Sequence, residues 1–329
     1  MDIAEVLRDC DAVLLRPTQS PRLTREILDS LPERELLIAT LSVGTDHIPS
    51  SWPSDLIISV KGLAAEKSAQ AVADHARGLA EDILRRRTDY VNLVRDYQFK
   101  NSVFPQSRTL RGIVWMCWGR GSQIRCLLPG LLACGVRKCI IWSNGLDQKS
   151  FNECLRNVMP KESAAPNEMR YTCRLGPLEM EVVGCCDPGP YLSEVEVLSL
   201  HQRSTPSYQR FIHADFLRRL RRGAIIVNTA RGDLVVEKDV VEAMRNGTLA
   251  GYAADVIYSR AEETGQSHYS PLWEMSCTLG ASDPPVYITP HCGASIQSVL
   301  DEASESVVRE LLVRLDMKEK VPLALRGRI

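Results

Sequence analysis

Residues 224–257 read AIIVNTARGDLVVEKDVVEAMRNGTLAGYAADVI. A continuous apolar run, an amphipathic stretch closed by Asn-Gly, and a second apolar run follow one another within this segment. A strand whose residues are apolar on both faces is covered on both faces, and a helix between two such strands makes them parallel. The same phrase recurs upstream. DAVLL (11–15), ELLIATL and DLIISV read as strands, RLTREILDSL as a helix, and AEKSAQAVADHARGLAEDILRRR as a long helix whose basic end suits its dipole. IVWMCW, KCIIWS, EVEVLSLH and VYITPH read as further strands, ADFLRRLRRG as a helix closed by Gly223, and SIQSVLDEASESVVRELLVRL as one or two amphipathic helices. The expected class is α/β, with doubly wound parallel sheets. Two stretches carry no such signal: 144–171, polar and rich in Pro, Asn and Glu, reads as a surface excursion, and 259–285 as an aperiodic loop.

A chain of 329 residues is long enough for two domains. Forty basic residues against forty-one acidic ones provide no long-range field to attract nucleic acid or an anionic membrane. The start, MDIAEVLRDCDAVLL, lacks the basic and apolar regions of a secretory signal, and no apolar stretch approaches the ~18 residues of a membrane span. Six histidines are scattered, and the eleven cysteines include no C-x-x-C pair, so no metal site is expected and a reducing, cytoplasmic setting fits.

The segment WGRGSQIRCLLPG (118–130) follows a strand and opens a helix, the context of a dinucleotide-binding turn. Gly119, Arg120, Gly121 and Ser122 are its candidate cofactor-binding residues. Ile124 stands where a third glycine would permit close helix–strand packing, and Pro129 removes a helical hydrogen bond, so a short, kinked or displaced helix is expected. At the end of the next strand Trp142-Ser143-Asn144 replaces the acidic residue that would hold an adenosine ribose. Ser143 is thus a cofactor-site candidate, and NADP becomes as open as NAD, with Lys149 or Lys138 as partners for a 2'-phosphate. A plain strand–turn–helix with no ligand remains the alternative.

Downstream, Arg231, Asp255 and His291 each follow the end of a strand, where an open α/β sheet places its ligand crevice. A guanidinium there can grip a carboxylate with two hydrogen bonds, and an imidazole can exchange a proton near neutral pH.

Together, LLIATLSVGTDHI, QAVADHARGLAEDIL, GRGSQI, EVLSLH, GAIIVNTARGDLVVEKDVVEAM, GTLAGYAADV and ITPHCGAS resemble the D-isomer-specific 2-hydroxyacid dehydrogenases, a group that includes the C-terminal-binding-protein branch. The resemblance runs from about residue 5 to about residue 320, and is most specific over 195–295. It implies a Rossmann-like dinucleotide domain (101–294) inserted into a flavodoxin-like substrate domain (1–100 and 295–329), with the cleft between them. It further implies that Arg231 holds the substrate carboxylate and carbonyl and that His291 is the acid/base. Asp255 would orient the nicotinamide amide, Thr229 and Ala230 would lie along the cofactor, and the backbone of Ser42-Val43-Gly44 would meet the substrate carboxylate. A homodimer packed through the long helix 64–87 is a further implication.

The chain departs from that pattern at three places. Direct counting puts Arg260 where the family has a catalytic glutamate; a shift of register would bring in Glu262 or Glu263. A cation beside the imidazole would lower its pKa and weaken proton donation. The glycine turn and ribose acid are eroded, and the family's opening strand–helix unit is missing, so the substrate domain is expected to lack its first unit. Two readings follow: an NAD(P)-dependent reductase of small 2-oxo acids, or a catalytically degenerate relative that works as a binding or regulatory protein.

Overall fold

A computed structural model describes residues 3–7, 10–15, 25–31, 36–45, 47–49, 51–95, 107–158, 169–258, 270–278 and 284–315. The chain divides into two units, 1–71 with 294–329 and 72–293, so the first boundary falls inside one long helix.

In the first unit, β1 (Ala12–Leu15), β2 (Leu37–Thr40) and β3 (Ile57–Ile58) form a parallel sheet in that order. Its two faces follow from alternation along β2. Ile38 enters a core with Leu7 of α1 (Ile3–Leu7), Leu28 of α2 (Arg25–Asp29), Leu15, Leu36 and Ile48. Ala39 faces the other way, with Ile58, Val60 and Ala64 of α3 (Gly62–Arg85), against Ala303 and Val307 of the C-terminal helix Gln297–Arg314. Small residues at 39, 64 and 303 let these helices approach the sheet closely.

Among the described residues the second unit holds eight strands. After α3 and α4 (Arg87–Arg95) come β4 (Val114–Trp118), α5 (Ser122–Ala133), β5 (Lys138–Trp142) and α6 (Gln148–Leu155). Then follow β6 (Arg170–Leu175), β7 (Leu178–Cys185), β8 (Val197–Leu200), α7 (Ala214–Leu217), β9 (Ala224–Asn228), α8 (Glu237–Arg245), β10 (Leu249–Ala254), α9 (Pro271–Thr278) and β11 (Val286–Ile288). Across the sheet the order is β11-β10-β9-β8-β4-β5-β7-β6, all parallel except the β6–β7 hairpin. The chain therefore runs outward from β4 through β5, then returns to lay β8 on the other side of β4. That reversal is the topological switch point at which open α/β sheets form a crevice.

The aliphatic and aromatic residues of one face (Val114, Met116, Trp118, Ile140, Trp142, Leu198, Leu200, Ile226) share a core with Phe216, Leu217, Val240 and Met244 from α7 and α8. Trp118 and Trp142 end adjacent strands and stack with centroids 4.7 Å apart, while Phe211 and Phe216 pack around them. Gly119, where the glycine turn begins, directly follows Trp118 of this cluster.

Three expectations are corrected. Residues 148–155 are not a surface excursion but α6, which buries Phe151, Cys154 and Leu155 and is capped by the Asp147 side chain. The adjoining segment supplies β6 and β7, turned at Gly176-Pro177, a Gly-Pro punctuation between alternating runs that periodicity alone left unread. Within 259–285 lies α9, whose Leu272 is buried. Helix α5, expected to be shortened or kinked, runs through Pro129 to Ala133. The carbonyl of Arg125 that Pro129 leaves without its helical partner accepts a long bond from Asn157 Nδ2, at 3.5 Å.

Candidate active site

The register of the parallel ladders sets one row across the sheet: Trp142, Trp118, Leu200, Asn228, Ala254 and Ile288 pair in succession. The next residue on each strand, Ser143, Gly119, His201, Thr229, Asp255 and Thr289, therefore forms the carboxyl edge. Arg231 lies three positions beyond Asn228 on β9, and His291 three beyond Ile288 on β11, with β10 between them. With neighbouring strands ~4.8 Å apart, their strand ends are roughly 10 Å apart.

At the switch point Gly119 adopts φ +140°, and a Cβ there would lie 2.9 Å from the His201 carbonyl oxygen. Only glycine fits this close approach. Gly121 caps α5, with open space where a side chain would stand. Among the described residues, the N–H groups of Arg120, Gly121, Ser122 and Gln123 make no hydrogen bond, as expected of a first helical turn. They converge with the positive end of a twelve-residue helix, a ready seat for a pyrophosphate. Ile124 is fully buried on α5. The His201 ring sits between Gln123 Oε1 (3.1 Å) and Ser199 Oγ (2.9 Å), so the end of β8 braces the first turn of α5.

Ser143 is buried at the end of β5, and Asn144 beside it is exposed. Arg120 reaches across to donate to the Gly145 carbonyl at 2.8 Å, which brings its guanidinium to the loop that would face an adenosine ribose. The nearby Asp147 is not a substitute ribose acid, because its carboxylate accepts from the Ser150 N–H at 2.7 Å as the α6 cap. Lys138 is excluded as a phosphate partner. It opens β5, at the opposite end of the sheet, where it bonds Glu194 at 2.6 Å.

Arg231 is positioned by two residues that sequence reasoning passed over. Asn228, fully buried, brackets the turn: its Oδ1 accepts from Ala230 N (3.1 Å) and its Nδ2 donates to the Arg231 carbonyl (2.8 Å). Gly232 runs flush against the main chain at Ile257 and Tyr258, where any side chain would overlap backbone atoms. The Arg231 guanidinium is turned back to the Ala230 carbonyl at 2.8 Å. Thr229, 7% exposed, leaves its buried Oγ1 without a hydrogen-bond partner among the described residues. A buried hydroxyl left unmet costs ~1–3 kcal/mol and marks a place where a ligand group fits.

Asp255, 3% exposed, holds the turn that carries His291. Its Oδ1 accepts from Thr289 Oγ1 (2.5 Å) and Cys292 N (2.9 Å), its Oδ2 from Gly293 N (2.8 Å), and its carbonyl from His291 N (3.0 Å). Burial alone would raise its pKa, but hydrogen bonds from His75, Thr289 and the two amides outweigh that and hold it down at about 2. His291 itself is exposed, in the left-handed region at φ +52°. Glu237, buried on α8, accepts from Tyr258 N and Ser270 Oγ, both at 2.8 Å. It thereby ties the two ends of the segment that contains Arg260, Glu262 and Glu263, which lie outside the described residues.

In the first unit, Ser42 Oγ donates to the Gly44 carbonyl at 2.5 Å, closing a small turn after β2. The N–H groups of Val43 and Gly44 make no bond among the described residues. No helix among the described residues is long and apolar enough to cross a membrane. His75 on α3 was not singled out from sequence, although a histidine in register with Leu79 and Ile83 on a buried stripe was a legible signal.

Comparison with known proteins agrees with this geometry. A family profile described as "D-isomer specific 2-hydroxyacid dehydrogenase, NAD binding domain" matches residues 174–293, the part that carries Arg231, Asp255 and His291. Glycerate dehydrogenase of Methylorubrum extorquens is 28% identical over 125 residues, spanning 38% of this chain and 37% of that protein. Glyoxylate reductase of Thermofilum pendens is 24% identical over 322 residues, covering 97% of this chain and 82% of that protein. In fold, the chain matches the D-lactate dehydrogenase of Aquifex aeolicus, solved with NAD and lactic acid, at a TM-score of 0.72 and 20% identity, covering 97% and 87% of the two chains. The chain is thus similar to the D-isomer-specific 2-hydroxyacid dehydrogenases, through their NAD-binding domain over 174–293 and at lower identity along most of its length.

Proposed function

We propose that this protein is an NAD(P)-dependent oxidoreductase that interconverts a small 2-oxo acid and its 2-hydroxy acid. The observation that carries the reading is the placement of Arg231 and His291 three residues past one row of the sheet, on strands either side of β10. The residues fit a dinucleotide. The free N–H groups at 120–123 suit a pyrophosphate, the glycine at 119 keeps the turn low, and the unmet Thr229 hydroxyl offers a polar contact along the edge. When bound, nicotinamide supplies the hydride that the carbonyl carbon gains in the reducing direction.

The chain's own groups supply the rest. Arg231 clamps the carboxylate and polarises the carbonyl, as a planar guanidinium does for paired oxygens. His291, as imidazolium, gives its proton to the carbonyl oxygen as that oxygen becomes an alcohol, and takes it back in the reverse direction. Glu262 is assigned to hold the imidazole, with Arg260 as the residue that direct counting would put there instead. Asp255 is assigned to the nicotinamide amide in addition to the turn it already holds, and Ala230 to the wall of the cofactor site. In the first unit, the N–H groups of Val43 and Gly44 are assigned to a carboxylate. Ser143 without an acid, with the Arg120 guanidinium on the same loop, supports acceptance of NADPH beside NADH. A homodimer and a cytoplasmic location complete the proposal, the latter supported by the free cysteines among the described residues.

The test is oxidation of NADH and of NADPH by the purified protein with glyoxylate, pyruvate and hydroxypyruvate. Turnover that falls by about 100-fold or more in His291→Ala is the expected result. Turnover unchanged in that variant removes the mechanism, and dinucleotide binding without turnover on any 2-oxo acid favours a binding protein.

A further inference from the structure

Three consecutive main-chain N–H groups, those of His291, Cys292 and Gly293, point at Asp255: the first at its carbonyl and the next two at its carboxylate. Successive N–H groups around a left-handed residue make a nest for an anion, and here an internal carboxylate fills it. His291 thus owes its backbone conformation to Asp255. What fixes Asp255 in turn is a side chain from a distant helix. His75 Nε2 lies 3.0 Å from Thr289 Oγ1 and 3.4 Å from Asp255 Oδ1.

We propose that His75 is a positioning residue for the reaction assigned above: by donating from Nε2 to Thr289, it locks the Asp255 carboxylate that holds the His291 turn. The inference rests on that functional reading for its kinetic consequence, and on the hydrogen-bond geometry for its chemistry.

The direction of each bond follows by elimination. Asp255 is ionised and can only accept. A threonine hydroxyl has a single proton, and the 2.5 Å contact to Oδ1 is where it goes. The Thr289 oxygen then has only lone pairs to offer His75, so the ring must carry its proton on Nε2. The opposite tautomer would draw the hydroxyl proton to the ring and leave two acceptors facing each other. Packing closes the arrangement, because a Cβ on Gly293 would lie 2.9 Å from Asp255 Oδ2 and 3.3 Å from His75 Cδ2. The ring edge and the carboxylate pin this glycine from two sides.

The same atoms allow one competing use. His75, Asp255 and Cys292 each present a ligand atom within 4.8 Å of the others, an outline a transition metal could enter. The three donors already on the Asp255 carboxylate argue for the hydrogen-bonded arrangement instead.

The experiment has two arms, both on the full-length protein. Nitrogen-15 imidazole spectra, recorded above the ordinary histidine titration range, should show His75 protonated on Nε2, and Thr289→Val should release that preference. A ring protonated on Nδ1 overturns the proposal, as does zinc retained through dialysis by the wild type and lost in His75→Gln. In steady-state assays, His75→Leu should lower kcat by about 10- to 100-fold with substrate KM and NADH affinity changed less than about 2-fold, the cost of a slightly misplaced acid. His75→Gln, whose side-chain amide can donate in place of Nε2–H, should recover most of that loss. A His75→Leu protein with wild-type kcat, or one whose loss is all in KM, overturns the proposal. A wild type without turnover defeats the reductase reading while leaving the spectroscopic arm to decide this one.

Discussion

The main-chain nitrogen of Gly293 donates to Asp255 Oδ2 at 2.8 Å, binding the turn after β11 to the end of β10. The aspartate that family resemblance directs at a cofactor amide is here first of all a clamp on the His291 turn.

Replacing that carboxylate should be felt in stability before it is felt in chemistry. Its folded pKa of about 2 lies below the unfolded carboxylate value. The group therefore stabilises the fold above the ordinary carboxylate range, and that contribution is lost as pH falls toward 2. It is of the order of 2 kcal/mol. Asp255→Asn should lower the melting temperature at neutral pH and flatten the acid limb of the stability profile. An unchanged acid limb would show that the three donors to the carboxylate do not depend on the charge.

Gly232→Ala should be among the costliest single substitutions. The added methyl overlaps the backbone at Ile257 and Tyr258, so the Arg231 turn must move bodily. A loss of about 3 kcal/mol, or roughly 6–12 °C in Tm for a unit of this size, is expected by calorimetry. Any folded fraction should retain dinucleotide binding better than turnover.

Glu237 predicts the opposite sign. Burial raises its pKa despite the bonds from Ser270 and Tyr258. A carboxylate whose folded pKa is raised costs stability as pH climbs from its unfolded value through its folded one. Glu237→Gln can still accept from Tyr258 N while donating to Ser270 Oγ. The variant should match the wild type near pH 4 and gain relative stability toward neutrality in thermal melts. A steady loss at neutral pH would show that the charge itself holds these two loop ends.

Gly119→Ala should separate the turn from the rest of the site. Its backbone φ of +140° and the 2.9 Å approach to the His201 carbonyl leave no room for a methyl. Isothermal titration should show NADH and NADPH affinity reduced by about 10-fold or more, through misplacement of the helix start. Equal affinity in the variant would place the pyrophosphate elsewhere.

Much of the fold was legible because its signals are local. The continuous apolar runs at 114–118, 139–142 and 224–227 are buried along their whole length, and only a central parallel strand does that. Arg231, Asp255 and His291 were legible because each follows such a run. Helix α6 and the β6–β7 hairpin were obscured by the polar faces that an edge of the sheet needs, with Arg170, Thr172 and Arg174 alternating against buried Tyr171 and Cys173. Pro129 misled because its cost is local while its remedy, Asn157, lies 28 residues away on the chain. His75, Asn228 and Gly232 act on residues distant in sequence or through backbone contact, and spacing carries little of either.

The central claim is that Arg231 and His291 act on one small molecule beside a nicotinamide. A double-mutant cycle measures it most directly: kcat/KM for glyoxylate with NADH in the wild type, Arg231→Ala, His291→Ala and the double variant. Each single change should cost about 100-fold or more, and the double variant should be little worse than the poorer single one, as for residues that work as a unit. Fully multiplicative losses, or single variants that keep wild-type kcat/KM, would contradict the account.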